Sequence, residues 1–259
     1  MQRSGSWRNS VGVVLFLLAL AGIWQLVASL GLLPSYSLPS PTAVGKRMAE
    51  LAADGSLAAG VRASLTRMLL GFCISATLGL LIGLAMGLSS LVNCCLRSLF
   101  LGLQTLPSVA WVPIALMLFG LGDSAIYFVI IASSMPAMAI ATGDGIANVP
   151  PHYLRVAQNL GLGRLATGVR VILPAALPGT MTGIKLGWTL GWHGVVSAEL
   201  IRSTIGLGFL LHMGRELNDA AQVVGVMLVT ILLGLFLDQL LFAQLERRIR
   251  HRWGLEASS

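Results

Sequence analysis

Six long stretches of nearly uninterrupted apolar sequence dominate this 259-residue chain. Each has roughly the 20 residues that an α-helix needs to cross a lipid bilayer. Charged residues make up only 10% of the chain, against about 25% in a soluble globular domain, and the mean hydropathy is +0.83. So few charges cannot cover the exterior of a soluble protein of this size. The pattern excludes an ordinary soluble enzyme, a disordered chain and a fibrous protein, and it predicts an all-α polytopic membrane protein.

The six stretches predict six transmembrane helices in a single domain, residues 1–259. The first stretch could instead be a signal peptide. Its apolar run is longer than the roughly 7–15 residues of such a peptide, and no A-x-A cleavage site follows it, so we interpret it as an uncleaved helix. A polar segment, 34–67, comes next, and within it Ala43–Leu51 is expected to form an amphipathic helix at the membrane surface. The expected spans are 11–33, 68–92, 99–121, 125–142, 175–201 and 221–243.

Basic residues predict the orientation of these spans. Ten of the 17 Lys and Arg residues fall at the N-terminus, after the second and fourth spans, or in the C-terminal tail. Six fall in the segments on the opposite side, and one lies within a span. Because cytoplasmic loops are enriched in Lys and Arg, we expect both termini in the cytoplasm. The same bias explains the net charge of +7 without nucleic acid as a partner.

Two spans carry glycines at intervals of four residues, which places each series on one helical face. Such faces let helix backbones approach closely in a membrane. We therefore expect packing against a neighbouring helix or a second copy of the chain, with a pore lining as the alternative. The two series are Gly79, Gly83 and Gly87 in the second span, and Gly179, Gly183, Gly187 and Gly191 in the fifth.

Polar and helix-breaking residues inside the spans are candidates for a solute pathway, because they are costly in lipid and often face a cavity. The alternatives are a Lys185 side chain that extends to the cytoplasmic interface, a Glu199 carboxylate that is solvated at the outer interface, and prolines that serve packing alone. Pro107, Pro113 and Pro136 are expected to bend their spans. The pathway candidates are Gln104, Pro107, Lys185, His193 and Glu199.

The segment between the fourth and fifth spans, residues 143–174, is expected to contain two short helices, Tyr153–Leu160 and Arg164–Val171. Gly161 lies between them, where a backbone with positive φ would end the first helix. Two short helices that carry basic residues between membrane spans form a shape that a cytoplasmic partner can bind.

This segment resembles the coupling loop of binding-protein-dependent ABC transporter permeases, whose pattern is E-A-A-x3-G-x9-I-x-L-P. The second Ala, the Gly and the Leu-Pro pair match, whereas Arg, Val and Val replace the Glu, the first Ala and the Ile. The matching positions are Arg155, Val156, Ala157, Gly161, Val171, Leu173 and Pro174. Four further segments are similar to the nitrate, sulfonate, bicarbonate and taurine branch of this family: 38–41, 106–125, 172–179, and 198–200 together with 206–208.

The resemblance implies a bacterial inner-membrane permease of an ATP-driven importer. Its implied partners are a cytoplasmic ATPase that binds the coupling loop, an extracytoplasmic solute-binding protein and a second permease subunit, so that a homodimer is expected. It also implies a small oxyanion as solute, such as a sulfonate, taurine or nitrate. An ATP-independent transporter or channel is the alternative, although neither would need this loop pattern.

No enzymatic motif stands out in the chain. The string nearest to a phosphate-binding loop, residues 40–47, lacks its first Gly and its final Ser or Thr. The three cysteines and four histidines have no metal-binding spacing. We therefore expect no catalytic, metal or cofactor site in this chain, with ATP and Mg²⁺ bound by the partner ATPase.

Overall fold

The computed structural model describes residues 3–30, 34, 38–201 and 205–243. Their regular structure is entirely helical, which confirms the all-α class. The helices are α1 (Arg3–Ser29), α2 (Pro41–Ala53), α3 (Ser56–Leu88), α4 (Ser90–Gln104), α5 (Trp111–Phe119), α6 (Asp123–Ala147), α7 (Pro151–Asn159), α8 (Arg164–Thr167), α9 (Leu173–Ile201), α10 (Leu207–Glu216) and α11 (Ala220–Leu237). A 3₁₀ turn precedes α5 at Ser108–Ala110, and π-helical turns lie at Gly168–Ile172 and Asp238–Ala243.

Three of these helices, α3, α6 and α11 with its π-helical extension, are long and apolar enough to cross a membrane. The bent pair α4 and α5 makes a fourth crossing if the pair counts as one span. Six crossings therefore remain a prediction. Residues 31–33 of the first predicted span, the tail from 244 onward, and 202–204 of the loop before α10 lie outside the described residues.

Helix α3 differs from the second predicted span, 68–92, at both ends. It begins at Ser56, directly after Gly55, which takes a left-handed conformation (φ +78°), and it continues through Gly60. It ends at Leu88, where Ser89 becomes extended and caps α4 through its side chain. The basic residues Arg62 and Arg67 thus lie on α3 rather than in a loop.

The third predicted span is broken at Pro107. Helices α4 and α5 meet at an angle of 97°, and Pro107 between them is extended, with ψ at 147°. Pro113 lies in the first turn of α5, where a missing N–H costs little. Pro136 lies inside α6, which continues to Ala147. The one sharp bend therefore belongs to Pro107.

Helix α6 forms the centre of the bundle, with α3 on one side and α9 on the other. Both glycine series face it. A Cβ atom at Gly79 would lie 2.8 Å from Met138 Cβ, and one at Gly183 would overlap Ala141 Cβ. Neither position has room for a side chain, so the glycines let three backbones approach within one chain.

Helix α2 corresponds to the predicted surface helix and is longer by two residues at each end. Ser40 caps it by accepting a hydrogen bond from the backbone N–H of Ala43 at 3.2 Å, and Pro41 occupies its first turn. Its apolar face is buried through Val44 and Leu51. The helix is joined to the start of α11 by the ion pair of Arg47 with Asp219, at 2.7 Å.

Candidate functional site

The 143–174 segment contains a helix end of defined geometry. Helix α7 stops at a Schellman motif, in which Leu162 N–H donates to Ala157 O at 3.0 Å and Gly161 N–H donates to Gln158 O at 2.9 Å. Gly161 has φ +69°, as the sequence predicts. This motif requires a left-handed residue four positions after its first carbonyl, which gives the A-x3-G spacing a physical basis.

The two faces of α7 differ in exposure. Ala157 is buried, and the helix packs on the π-helical turn Gly168–Ile172. Arg155, at the position of the family glutamate, is exposed. Four large apolar side chains of the segment are also exposed, and they are called the apolar patch on the loop: Tyr153, Val156, Leu160 and Val169. Exposed apolar side chains of this kind mark a surface that another protein covers.

The second half of the segment leads into α9. Val171 lies within the π-helical turn and is half-buried, whereas Leu173 at the start of α9 is half-exposed. Pro174 follows within a stretch that is helical without interruption from Arg164 through the π-helical turn into α9, so the expected helix Arg164–Val171 does not end there. A small apolar cluster of Ile146, Val149 and Ala176 anchors both ends of the segment to the bundle.

An ion pair joins this region to the broken span. Arg97 of α4 donates two hydrogen bonds to the carboxylate of Asp144, near the end of α6, one of them from Nη2 at 3.1 Å. Both side chains are about 40% exposed. This ion pair therefore joins α4 to α6 four residues before residues 148–150, which connect α6 to α7.

A cavity of about 830 Å³ lies between the bend of α4 and α5 and the middle of α9. It includes three of the predicted pathway residues, Gln104, Pro107 and His193. Ser108 and Ser197 meet across it, with their hydroxyl oxygens 2.9 Å apart. A pathway role for the lining residues stays a prediction.

A second cavity, of about 470 Å³, adjoins the first and lies between α9 and the C-terminal half of α11. It is lined by Lys185, and His193 lines both cavities. Lys185 Nζ lies 3.3 Å from Asp238 Oδ2 of α11. The ammonium group of Lys185 thus pairs with a neighbouring helix, and whether it also reaches the cytoplasmic interface stays a prediction.

The four lining residues Lys185, Thr189, His193 and Ser197 follow one another at intervals of four residues. They are offset by two positions, about 200° around the helix, from the glycines of α9. One face of α9 therefore packs on α6 and the opposite face lines the cavities. Thr189 and Ser197 were missed by the sequence analysis, although this second four-residue period was the signal that could have found them.

Glu199 is placed away from both cavities. Its carboxylate is fully buried and accepts hydrogen bonds from Ser64 Oγ at 2.6 Å and Arg67 Nη1 at 2.9 Å. It also accepts the backbone N–H of Gly208 at 3.1 Å, in the first turn of α10, where a negative charge favours the helix dipole. This position does not fit a pathway role or solvation at an interface. The carboxylate has no exposed surface, and its hydrogen-bond donors belong to α3 and α10 of the same chain.

The Gly206-Leu207-Gly208 sequence closes this network. A Cβ at Gly206 would overlap the carboxyl carbon of Glu199, and one at Gly208 would lie 2.5 Å from Glu199 Cβ. Only glycine allows the chain to approach the carboxylate this closely. The Ala198–Leu200 and 206–208 segments that resemble the family are thus two halves of one contact.

Within the described residues, no group of three or more His, Cys, Asp or Glu side chains could hold a metal ion. The described features are instead the 143–174 segment with its exposed side chains and two adjoining cavities, the smaller of which is lined by the ion pair of Lys185 and Asp238. Such features can transmit a displacement and accommodate a small solute.

Comparison with known proteins supports this interpretation. Residues 75–251 match the family described as binding-protein-dependent transport system inner membrane component. The chain is 32% identical to the bicarbonate transport system permease protein CmpB of Synechococcus elongatus over 249 residues, which cover 90% of this chain and 88% of that one. It is 33% identical to the taurine transport system permease protein TauC of Escherichia coli over 246 residues, with coverages of 93% and 88%.

A third relative is the putative aliphatic sulfonates transport permease protein SsuC of Escherichia coli, 33% identical over 251 residues, with coverages of 97% and 92%. The family match covers well over half of the chain, and these relatives are matched along nearly their full length. Membership in this family implies an ATPase and a solute-binding protein as partners. The chain belongs to the binding-protein-dependent inner-membrane permeases of ABC transporters, in the branch that serves nitrate, sulfonates, bicarbonate and taurine.

Proposed function

We propose that this chain is the membrane-spanning subunit of an ATP-driven importer for a small oxyanion, such as a sulfonate, taurine or nitrate. It works as a homodimer in the bacterial inner membrane, with six crossings per subunit and both termini in the cytoplasm. An extracytoplasmic binding protein delivers the solute. A cytoplasmic ATPase binds ATP and Mg²⁺ and engages the 143–174 segment, while this chain carries no cofactor.

The geometry of that segment is the observation that carries the proposal. The Schellman motif at Gly161 sets the angle at which α7 leaves the loop, and the apolar patch on the loop is exposed for a partner. An ATP-independent transporter or channel would have no partner for this surface.

The structure also supports a route for the displacement. Closure of the ATPase pair would move the loop, whose ends are packed on α6 and α9. Because α6 and α9 interlock through glycine contacts, they would move as one rigid unit. The polar face of α9 would move with them and change the opening of the cavities. Alternating access then requires only two states of the bundle that nucleotide populates differently.

Two observations favour an oxyanion as solute. Lys185 and His193 line the cavities, and Asp238 is the only carboxylate among the described residues that do. The names of the relatives point the same way, since CmpB is a bicarbonate permease, TauC a taurine permease and SsuC a putative permease for aliphatic sulfonates.

The test replaces Gly161 by Val and uses Gly163→Val as the matched control. Both glycines are exposed in the loop and have open space where a Cβ would point, but only Gly161 has a positive φ. A β-branched residue there is strained by about 1–2 kcal/mol. We expect the Gly161→Val protein to remain in the membrane, to recover less ATPase after detergent solubilisation and to lose uptake.

The Gly163→Val protein should keep both properties. Full uptake and full ATPase recovery in Gly161→Val would contradict the role of the segment as the coupling element. If the wild-type complex takes up a neutral solute but none of nitrate, bicarbonate, taurine and methanesulfonate, the oxyanion is refuted while the coupling role stays intact.

A further inference from the structure

Side-chain contacts join α9 to the C-terminal half of α11 and the π-helical turn that follows it. Lys185 pairs with Asp238 at 3.3 Å, and the rings of Trp188 and Phe242 approach with centroids 5.8 Å apart. The smaller cavity occupies the space between the two helices. The side chains of Lys185 and Asp238 are 42% and 31% exposed, so a small molecule in the cavity can reach both of them.

The surroundings make Lys185 the main cation that a solute meets there. The other ionisable residues among those that line this cavity are His193 and Asp238. The hydroxyls of Thr189 and Thr230 bond to carbonyl oxygens of their own helices, at 3.3 Å and 2.8 Å. An anion in this cavity would therefore find its strongest partner in the Lys185 ammonium group.

A partly exposed ion pair of this kind contributes little to stability, because water screens the charges. Its carboxylate is, however, chemically equivalent to an oxyanion: both are charged acceptors for the same N–H donors. Asp238 can thus hold Lys185 when no solute is present and give way when one arrives. A lysine without such a counter-ion would hold an anion more tightly and release it more slowly.

Two further features lie at the same place. Trp192, which lines both cavities, has an indole N–H that is buried and donates to no described residue. Its Nε1 lies against Gly234 of α11, 3.5 Å from the position that a Cβ would take there, so a separation of α9 and α11 would free a second donor for an acceptor. The regular α-helix of α11 also ends at Asp238, where a π-helical turn begins. Such turns occur frequently at functional sites.

We propose that Lys185 binds the transported oxyanion within the membrane domain, and that the anion displaces Asp238, which is the resident counter-ion of Lys185. The inference rests on the proposed function, since it assumes an anionic solute. It assigns a solute contact to the permease itself, in addition to any contact in the binding protein.

The alternative is an ion pair that only holds α9 and α11 together. The two explanations predict different effects of the single variants. If the pair is structural, Lys185→Gln and Asp238→Asn both weaken the bundle, and the neutral double variant relieves part of the damage. If Lys185 binds the anion, the two single variants change anion affinity in opposite directions.

The experiment measures equilibrium binding of radiolabelled methanesulfonate to the purified permease–ATPase complex without the binding protein, with neutral methanesulfonamide as competitor control. We expect Lys185→Gln and the double variant Lys185→Gln/Asp238→Asn to weaken binding by about tenfold, since a charge-assisted hydrogen bond is lost. Asp238→Asn should tighten binding by about threefold, because a competing acceptor is removed. Lys185→Arg should retain binding.

Recovery of the ATPase and a single gel-filtration peak control for folding of each variant. The inference is overturned if Asp238→Asn weakens binding as Lys185→Gln does, if neither variant changes it, or if the wild-type complex binds no methanesulfonate. Anion uptake by the wild-type complex is measured in parallel with nitrate, bicarbonate, taurine and methanesulfonate. If the wild-type complex takes up one of these solutes but Lys185→Gln binds methanesulfonate as tightly as the wild type, only the Lys185 site is refuted. If the wild-type complex takes up none of them, the proposed solute class and the site are refuted together.

Discussion

The C-terminal end of α9 is held in place by hydrogen bonds to one buried carboxylate, that of Glu199. The Glu199 carboxylate has three donors around it, from Ser64, Arg67 and Gly208. Arg67 in turn donates to Asp123 Oδ1 at 3.1 Å and to the Ile205 carbonyl at 2.7 Å. One carboxylate therefore joins α3, α9 and the first turn of α10, and its loss would leave several buried donors without an acceptor.

Replacement of Glu199 by Ala should destabilise the protein by about 3–5 kcal/mol, the usual consequence of breaking a buried ion pair from one side. Thermal unfolding of the detergent-solubilised protein measures this as a lower Tm. The matched control is Glu216→Ala, whose side chain is 59% exposed beside Arg215, and which should change stability by no more than about 0.5 kcal/mol. Equal Tm values for the two variants would show that the network contributes nothing.

At the scale of the element, close helix packing depends on what each glycine faces. A Cβ at Gly187 would overlap the buried Met138 side chain from Cε to Cγ, and this side chain is flexible enough to shift as a whole. A Cβ at Gly183 would overlap the Cβ of Ala141, which is fixed to the α6 backbone. The same spacing on one helix face thus contains positions of different tolerance.

We therefore expect Gly183→Ala to be destabilising by about 1–3 kcal/mol, the usual effect of overpacking, and Gly187→Ala to be less destabilising than Gly183→Ala. Gly187→Leu should also be severe, because Met138 cannot make room for a whole side chain. The yield of monodisperse protein after gel filtration, together with Tm, measures the effect. Gly102→Ala, on α4 with open space around it, is the control, and a Gly183→Ala protein as stable as this control would be incompatible with the contact.

The Arg97–Asp144 pair connects two elements, the bent α4–α5 span and the end of α6, where the 143–174 segment begins. A displacement of the segment can reach the cavity-lining bend at Pro107 through this pair. Because both side chains are substantially exposed, the pair itself should stabilise the protein by less than about 1 kcal/mol.

We expect Arg97→Ala and Asp144→Ala to retain ATPase recovery and Tm but to reduce uptake per ATP hydrolysed by about threefold or more, with the double variant Arg97→Asp/Asp144→Arg partly restoring it. Reconstituted complexes in which uptake and ATP hydrolysis are both measured provide the test. If uptake per ATP hydrolysed is unchanged in both single variants, the pair does not transmit the displacement of the 143–174 segment.

At the scale of the whole molecule, the number of membrane crossings and the orientation of the chain in the membrane both stay predictions. The direction rests on the distribution of basic residues. Helix α2, with its exposed Gly45, belongs to the predicted outer side, and Asn159 at the end of α7 belongs to the predicted inner side. These positions, together with the C-terminal tail, can be probed separately.

In a background without the three native cysteines, a membrane-impermeant thiol reagent should modify Gly45→Cys in intact spheroplasts. Asn159→Cys and Ser258→Cys should react only after the membrane is opened. Modification of Asn159→Cys and Ser258→Cys but not of Gly45→Cys in intact spheroplasts would reverse the orientation and remove the 143–174 segment from the reach of a cytoplasmic ATPase.

Much of the architecture was determined by local sequence. Apolar runs and low charge determine an all-helical membrane protein, because unpaired backbone groups cannot remain in lipid. The A-x3-G spacing determines the Schellman motif at Gly161, because its hydrogen bonds join residues within one turn. The branch of the permease family also follows from the sequence.

Only the tertiary structure decided which distant residues meet. Lys185 and Asp238 lie on helices far apart in sequence, as do Glu199 and Ser64, and no local period predicts such pairs. The structure also showed that Pro107 lies at the break between α4 and α5, whereas α6 continues without a break through Pro136. Two four-residue periods coexist on α9, and packing against α6 selected the glycine face as the buried one, which left the polar face to line the cavities.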